Sequence, residues 1–387
     1  MIVGRRHCTV LRADSREDMV RWGRSDSASQ YHGGVCPLLN LSWPAHLVDE
    51  SAVRGWIHAV LPGHPRVLHP TILHQKAWGL TARFALLPDA ATIDPHDGVI
   101  FKASLLPLFA AAPHIYAILS RHCPDQTPRH LASVAHGAQT WSLFGPLPGD
   151  AVGAKSDLGV AAAMARTLGE IQAAIALLPA AEMALLPRQP LHTLPALFDT
   201  VRGEIETELL PIWRGKGDVF DCGELPRDVL DRLIAYRPQV QQWTAALLAG
   251  RWPETLDHVD LHTDNAMVLP NGQVMILDWE EAVLSLPFFS LDRLLDDVRA
   301  GRLLPAGSEA REGSGKAQIC SAYLTALPWG TEIGKEHAFD LAMRLAPIKA
   351  AYEGIVFAEA RGIAPLARMT AQCMAKALSR WESSSSQ

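Results

Sequence analysis

The stretch His258–Glu281, HVDLHTDNAMVLPNGQVMILDWEE, decides how the rest of the chain is read. Asp260 is followed five residues later by Asn265, and thirteen residues after that by a second aspartate, Asp278. Between them Pro270-Asn271-Gly272 is a turn signal, flanked by the apolar runs Ala266–Leu269 and Val274–Leu277. This pattern predicts a short β-hairpin whose two ends lie close together. The hairpin returns Asp278 to the neighbourhood of Asp260 and Asn265, so two carboxylates and an amide oxygen converge. All are hard oxygen donors, of the kind Mg²⁺ takes when it also binds phosphate. The competing reading is a polar hairpin whose Asp and Asn only cap turns. It accounts for Asp260 and Asn265 but not for Asp278 at the right distance beyond them.

Phosphoryl transfer from a nucleotide to a hydroxyl needs one aspartate to orient the hydroxyl or accept its proton. It also needs an asparagine and a further aspartate to hold Mg²⁺ against the phosphates. Protein kinases place the asparagine five residues after the first aspartate, and Asp260 and Asn265 repeat that spacing. The stretch resembles the aminoglycoside phosphotransferase family, small-molecule kinases of protein-kinase-like fold with a loop of the form HGDLHxxN and a following (I/L)DW(E) strand. His258, Asp260, Leu261, His262 and Asn265 match the loop, and Leu277, Asp278, Trp279 and Glu280 match the strand. Val259 stands where that family usually has glycine, so the backbone expected there is one a β-branched residue tolerates.

The resemblance implies an α+β, two-lobed, protein-kinase-like fold: a small N-lobe with an antiparallel sheet and a mostly helical C-lobe. On this chain the expected boundaries are an N-terminal extension over 1–45, an N-lobe over 46–147, and a C-lobe carrying the catalytic loop over 148–383. It implies ATP (or GTP) and Mg²⁺ in the cleft, with Asp260 as the catalytic base and Asn265 and Asp278 as metal ligands. His258 is expected to order the loop, and His262 to meet either substrate or loop backbone. Glu280 and Glu281 are expected to face the acceptor, where two acids suit an ammonium group; the alternative is that they are solvated carboxylates.

Upstream, Asp49-Glu50-Ser51 reads as a helix start, followed by Val53, Trp56, Ile57, Val60 and Leu61 at helical spacing. Strand patterns follow at Val67-Leu68, Thr71–Leu73, Thr81–Leu86 and Val99–Ala103. A lone lysine amid the apolar VIFKAS is expensive to bury unless it meets an anion. The resemblance makes Lys102 the lysine that clamps the nucleotide phosphates; otherwise it is an outward-facing residue of an edge strand. Phe109–Arg121 reads as a helix. The glutamate that the family places there to pair with the lysine is missing, because Ala110-Ala111-Ala112-Pro113 stands in its place. Another acid must support Lys102, or phosphate alone must.

Trp141–Gly149 is an apolar strand entering a Gly/Pro-rich segment, and a possible strand at Thr9–Arg12 precedes the polar N-terminal region. By resemblance Trp141–Gly149 is the hinge, and since Pro146 has no N–H to donate, the Gly145 carbonyl and Leu147 N–H are the expected adenine contacts. Beyond it the sequence turns helical: Asp157–Ala176, then helices near Ala196–Leu210 and Arg227–Leu248. Pro287–Asp292 resembles the family's PFFDL segment with Ser290 in place of an acid, and leads into a further helix. Gly301–Gly315 reads as loop. Its Gly313-Ser314-Gly315-Lys316 is not a phosphate-binding P-loop, because Ala310 and Ala317 occupy required positions. Helices near Ile319–Ala326, His337–Phe357 and Pro365–Trp381 follow, with a disordered tail expected from Ser384.

With 387 residues, 48% hydrophobic and 20% charged, the chain has material for two or three packed lobes of a soluble protein. No apolar run reaches the length of a membrane span, and the basic N-terminus is not followed by an apolar secretory segment. Six cysteines without a CxxC pair argue against a zinc site or a disulfide framework, and make the cytoplasm the default. Residues 1–200 carry 16 basic and 15 acidic side chains, whereas residues 201–387 carry 19 and 26. An acidic C-terminal half would attract a cationic acceptor, although solvated helix surfaces explain it equally. Nothing basic or aromatic is clustered enough for nucleic acid. The expected partner is therefore a small-molecule hydroxyl acceptor. An aminoglycoside or related amino sugar ranks first, with antibiotic resistance as its corollary; choline-like amino-alcohols, simple sugars and a catalytically impaired nucleotide-binding protein are the alternatives.

Overall fold

Asp49 begins the first helix by accepting backbone N–H bonds from Ser51 at 2.8 Å and Ala52 at 3.4 Å, which satisfies donors that the first turn leaves open. This helix, α1 (Glu50–Val60), buries Val53 and Ile57. The computed structural model describes residues 43–87, 98–153, 157–210, 228–299, 312–363 and 367–385. The expected strand at Thr9–Arg12 and nearly all of the expected N-terminal extension lie outside the described residues.

Strands β1 (Arg66–Lys76), β2 (Gly79–Leu87), β3 (Gly98–Ser104), β4 (His130–His136) and β5 (Gln139–Phe144) form one antiparallel sheet in the order β1-β2-β3-β5-β4. The two segments expected at Val67-Leu68 and Thr71–Leu73 are a single strand. Its register shifts between Val67 and Pro70, where a proline without an N–H interrupts the ladder. β3 is central, not an edge, which removes the outward-facing alternative for Lys102.

Period-two alternation on β3 sorts its side chains onto two faces. Val99, Phe101 and Ala103 join Val53, Ile57, Phe84 and Trp141 in a core beneath α1, with Phe101 and Trp141 edge-to-face at 5.5 Å. Ile100 points the other way, into the second and larger core, and Lys102 and Ser104 share its face. Helix α2 (Ala112–His122) crosses between β3 and β4 and buries Ile115, Tyr116 and Leu119. It starts later than the expected Phe109, because Pro107–Phe109 forms a separate 3₁₀ turn.

Past β5 the chain crosses to a helical lobe: α3 (Leu158–Ile175), α4 (Leu194–Glu204), α5 (Val229–Ala249), α6 (Leu291–Arg299), α7 (Glu312–Ala326), α8 (Glu332–Ala360) and α9 (Ala367–Ser385). The alanine-rich α3 packs closely on α7: a β-carbon on Gly169 would lie 2.7 Å from the Ala326 β-carbon and 3.0 Å from the Tyr323 carbonyl. Small strands β6 (Asp150–Ala151), β8 (Ala266–Val268) and β9 (Val274–Ile276) form one ribbon, and β7 (Thr255–Asp257) with β10 (Val283–Ser285) another. The expected hairpin is there, with Ala266 opposite Ile276 and Val268 opposite Val274. Its turn residue Gly272 has φ +82°, which glycine adopts without steric cost.

Two expectations are corrected. Residues 312–315 of the expected Gly301–Gly315 loop are the first turn of α7, and the rest of that loop lies outside the described residues. The C-terminal helix continues through Ser384 and Ser385, beyond the expected stop. It is anchored by Trp381, fully buried, whose Nε1–H donates to the Arg344 carbonyl at 2.9 Å. Among the described residues no helix is long and apolar enough to cross a membrane.

The α3–α7 contact carries a stability prediction. Gly169→Val should lower the melting temperature, since overpacking of this kind costs about 1–3 kcal/mol. Gly203→Ala in α4, where a β-carbon meets nothing within 4 Å, should raise it; the expected gain is roughly 0.5–1 kcal/mol. Thermal denaturation of the two variants checks the opposite signs.

Candidate active site

The site is built around the loop that leaves β7. Asp257, 1% exposed, anchors it. Its Oδ1 accepts the Val259 N–H at 3.2 Å and the Ser290 hydroxyl at 2.6 Å, while Ser290 Oγ accepts the His258 N–H at 2.9 Å. Lys349 of α8, 3% exposed, places its Nζ 2.7 Å from Asp257 Oδ2 and also pairs with Glu353. Ser290, which stands where the resembling segment has an acid, links the Asp257 carboxylate to the loop backbone.

Val259 corrects an expectation. Its φ is +69°, in the left-handed region that a β-branched residue rarely adopts. The backbone has kept the conformation that suits glycine although the side chain is valine. Its N–H bond to Asp257 and the Asp260 N–H bond to the His258 carbonyl at 2.8 Å hold it there.

His258 staples the two halves of the motif together. Its Nε2–H donates to the Leu277 carbonyl at 2.7 Å and its ring lies 4.5 Å from that of Trp279. Burial lowers its pKa, so the ring is neutral. In the other direction the Leu277 N–H donates to the Asn265 carbonyl at 2.9 Å, and Asn265 Nδ2 donates to the Asp260 carbonyl at 2.9 Å. Asp260, Asn265 and Asp278 are thereby brought together, as the hairpin predicted. Asp278 itself is left-handed, at φ 59° and ψ 54°, a conformation Asp tolerates better than most residues.

Lys102 reaches this cluster from β3. Its Nζ forms an ion pair with Asp278 Oδ1 and lies 3.1 Å from Glu280 Oε1. Burial alone would lower the Lys102 pKa, but Asp278 and Glu280 hold it well above the usual range and the amine stays charged. For Asp278, burial pushes upward and Lys102 outweighs it, leaving the carboxylate ionised. Glu280 is the second correction: it is expected at the acceptor or in solvent, but it lies against β3, where the Ser104 hydroxyl donates to its Oε2 at 2.6 Å. Burial raises its pKa, and Lys102 opposes this.

On the far side of Asp260, Arg293 of α6 places its Nε 2.6 Å from Oδ1, and His262 Nε2 lies 3.5 Å from Oδ2. Burial works against the charge on Asp260, but Arg293 and then His262 overcome it and hold the pKa at about 2. Glu281 lies among like charges: burial first, then Asp260, Asp278, Glu280 and Glu353, push it up to about 8. Glu353, raised by burial to about 7, belongs to the same acidic group. Arg293, Glu353, Asp257 and Lys349 carried no motif signal in the sequence; only the fold brings them here.

The residues expected at the hinge lie where β5 runs out. Gly145 is buried and its N–H donates to the Arg129 carbonyl at 2.9 Å, and half-buried Leu147 packs on the larger core. Among the described residues no group of three or more His, Cys, Asp or Glu side chains is arranged to hold a metal. One carboxylate at Asp278 and one amide at Asn265, whose Nδ2 is engaged so that its oxygen is the remaining donor, suit a hard cation that keeps water and phosphate ligands.

A sequence model described as the phosphotransferase enzyme family matches residues 101–319, more than half of the chain. The chain belongs to the phosphotransferase enzyme family. Among solved structures it is similar to a choline kinase from Cryptosporidium parvum Iowa II, at 10% identity and TM-score 0.56, over 87% of this chain and 96% of that one. It is similar to a macrolide 2'-phosphotransferase from Brachybacterium faecium, at 16% identity and TM-score 0.51, over 84% and 97%. It is also similar to an amicoumacin kinase in complex with AMP-PNP and Ca²⁺, at 13% identity and TM-score 0.52, over 86% and 95%. At such identities the likeness is one of fold, and it is the two-lobed kinase-like fold. No curated protein matches the sequence.

Val259→Gly should stabilise this phosphotransferase by up to about 1.5 kcal/mol, since left-handed strain of ~1–2 kcal/mol is relieved against ~0.5–1 kcal/mol of added chain entropy. Equilibrium denaturation measures it, and a clear loss of stability would contradict the strain.

Proposed function

We propose that the chain is an ATP- and Mg²⁺-dependent kinase that transfers the γ-phosphoryl group to a hydroxyl of a small cationic molecule, with an aminoglycoside or related amino sugar as the leading acceptor. The observation that carries this is the convergence of Asp260, Asn265 and Asp278 with the buried, charged Lys102 on one side of the sheet. Such a set neutralises and aligns a nucleotide's phosphates, which is most of what phosphoryl transfer requires of a protein. The hinge is assigned to residues 141–149, where the Gly145 carbonyl and Leu147 N–H take the adenine edge. A kinase-fold protein without turnover would have no need of an ionised carboxylate at Asp260.

Lys102 takes the nucleotide's phosphate oxygens, and Asn265 and Asp278 hold Mg²⁺. When bound, the ion supplies charge neutralisation for the β- and γ-phosphates. Asp260 accepts a hydrogen bond from the acceptor hydroxyl and aims its oxygen at the γ-phosphorus. With a pKa near 2, Asp260 is far too weak a base to ionise an alcohol beforehand. It orients the hydroxyl and receives the proton late, as the new O–P bond forms and the bond to ADP breaks. That order suits the loose transition state of such reactions.

Support for a cationic acceptor comes from the acids beyond Asp260. Burial first, and then repulsion from Asp260, Asp278 and Glu280, raise Glu281 to about 8, and burial raises Glu353 to about 7 against the pull of Lys349, with Asp257 and Asp260 adding repulsion. An ammonium group bound there would relieve that repulsion. A choline-like amino-alcohol satisfies the same acids and is the second reading.

Asp260→Ala should cut turnover by about 10²–10⁴-fold while leaving Mg·ATP binding within about twofold, because the base acts on the acceptor. Asp278→Ala should lose the Mg²⁺-dependent part of nucleotide binding. Calorimetric titration with Mg·AMP-PNP separates the two, and equal loss of binding in both variants would contradict these roles.

A further inference from the structure

A phosphate-binding lysine buried in a central strand needs a fixed counter-charge, or the amine loses either its charge or its aim. In this chain the helix that follows the strand does not supply one. The α2 side chain whose charge environment includes Lys102 is Tyr116, buried, edge-to-face on Phe144 at 4.7 Å and kept neutral by burial. The first turn of α2 holds no acid.

The acid comes from elsewhere. Glu280 lies in a one-turn 3₁₀ helix, Trp279–Glu281, directly after Asp278. That turn is rigid: Trp279 is fully buried and its Nε1–H donates to the Ile276 carbonyl at 3.0 Å. The Glu280 side chain is 9% exposed and is held by both oxygens, Oε1 at 3.1 Å from Lys102 Nζ and Oε2 accepting from Ser104 Oγ at 2.6 Å. Residues 102 and 104 are alternate positions on one face of β3, so strand geometry itself makes the fork that grips the carboxylate.

We propose that Glu280 is the positioning residue for Lys102, supplying from the turn after Asp278 the ion-pair partner that α2 lacks. This rests on the reading of Lys102 as the phosphate-binding lysine. Lys102 touches two acids, and they differ in kind. Asp278 is the one assigned to Mg²⁺, and Glu280, held by Ser104, stays with the lysine when a nucleotide binds. The lysine is thus tied to the peptide that carries the metal-binding aspartate and not to a separate helix. Strand β3 and the catalytic segment are thereby joined through one ion pair, without a charged partner from α2.

The test is a double-mutant cycle on nucleotide affinity. The Kd for Mg·AMP-PNP is measured for wild type, Lys102→Met, Glu280→Gln and the double variant, with KM for ATP and for acceptor determined separately. Glu280→Gln should weaken nucleotide binding about tenfold and leave acceptor KM within about twofold, and the double variant should bind no worse than Lys102→Met alone. Ser104→Ala, a smaller change, should weaken nucleotide binding by about two- to fivefold and have no further effect in the Glu280→Gln background. Unchanged nucleotide affinity with a raised acceptor KM in Glu280→Gln would overturn the proposal and return Glu280 to the acceptor side. So would losses at 102 and 280 that multiply. A wild-type protein that fails to bind Mg·AMP-PNP would instead sink the kinase reading itself, and this inference with it.

Discussion

Two hydrogen bonds at Leu277 join the halves of this site. The His258 ring donates to the Leu277 carbonyl, and the Leu277 N–H donates to the Asn265 carbonyl. Asp260, Asn265 and Asp278 come from opposite ends of a hairpin, and these contacts fix the distance between them. The hairpin register, set by a three-residue ladder and a glycine turn, decides which face Asp278 presents; a slip of one residue would turn its side chain away.

The loop is also held from below, by a buried aspartate paired with a buried lysine. Asp257 and Lys349 are both nearly inaccessible to water, and such a pair adds little net stability compared with apolar residues of the same shape. Its value is in placement. Asp257 receives the Val259 N–H directly and the His258 N–H through Ser290, which keeps the loop in a left-handed conformation that valine resists. Losing one member of such a pair costs about 3–5 kcal/mol because a bare charge remains buried. Strain in the loop and charge in the core are therefore two sides of one device that positions Asp260.

Much of this was legible in local sequence, because local rules govern it. The Asp260–Asn265 spacing, the Pro270-Asn271-Gly272 turn, the lone lysine of VIFKAS and the Asp49 cap each follow from period, turn chemistry or the cost of burying charge. What escaped was set by partners distant in sequence. Nothing near Asp257 announces Lys349, and Ser290 reads as a lost acid until the fold puts Asp257 beside it. Alternation on β3 predicts that residues 102 and 104 share a face but not that Glu280 will meet them. Glycines read as loop at 313–315, yet α7 packs so closely on α3 that a β-carbon on Gly315 would lie 2.9 Å from Leu158. Tertiary contact overrode weak helix propensity there, as the burial of Trp381 did at the C-terminus.

Phosphoryl transfer to the hydroxyl of a cationic small molecule, as proposed for these residues, can be assayed directly. The most direct measurement is ADP release with Mg·ATP, monitored against amino sugars, amino-alcohols and neutral sugars of similar size, with Asp260→Ala as the blank. Release should depend on an amine-bearing acceptor and vanish in the blank. Acceptor-dependent release that is as fast in Asp260→Ala as in wild type would contradict the proposal, and turnover confined to neutral sugars would contradict the acidic acceptor face.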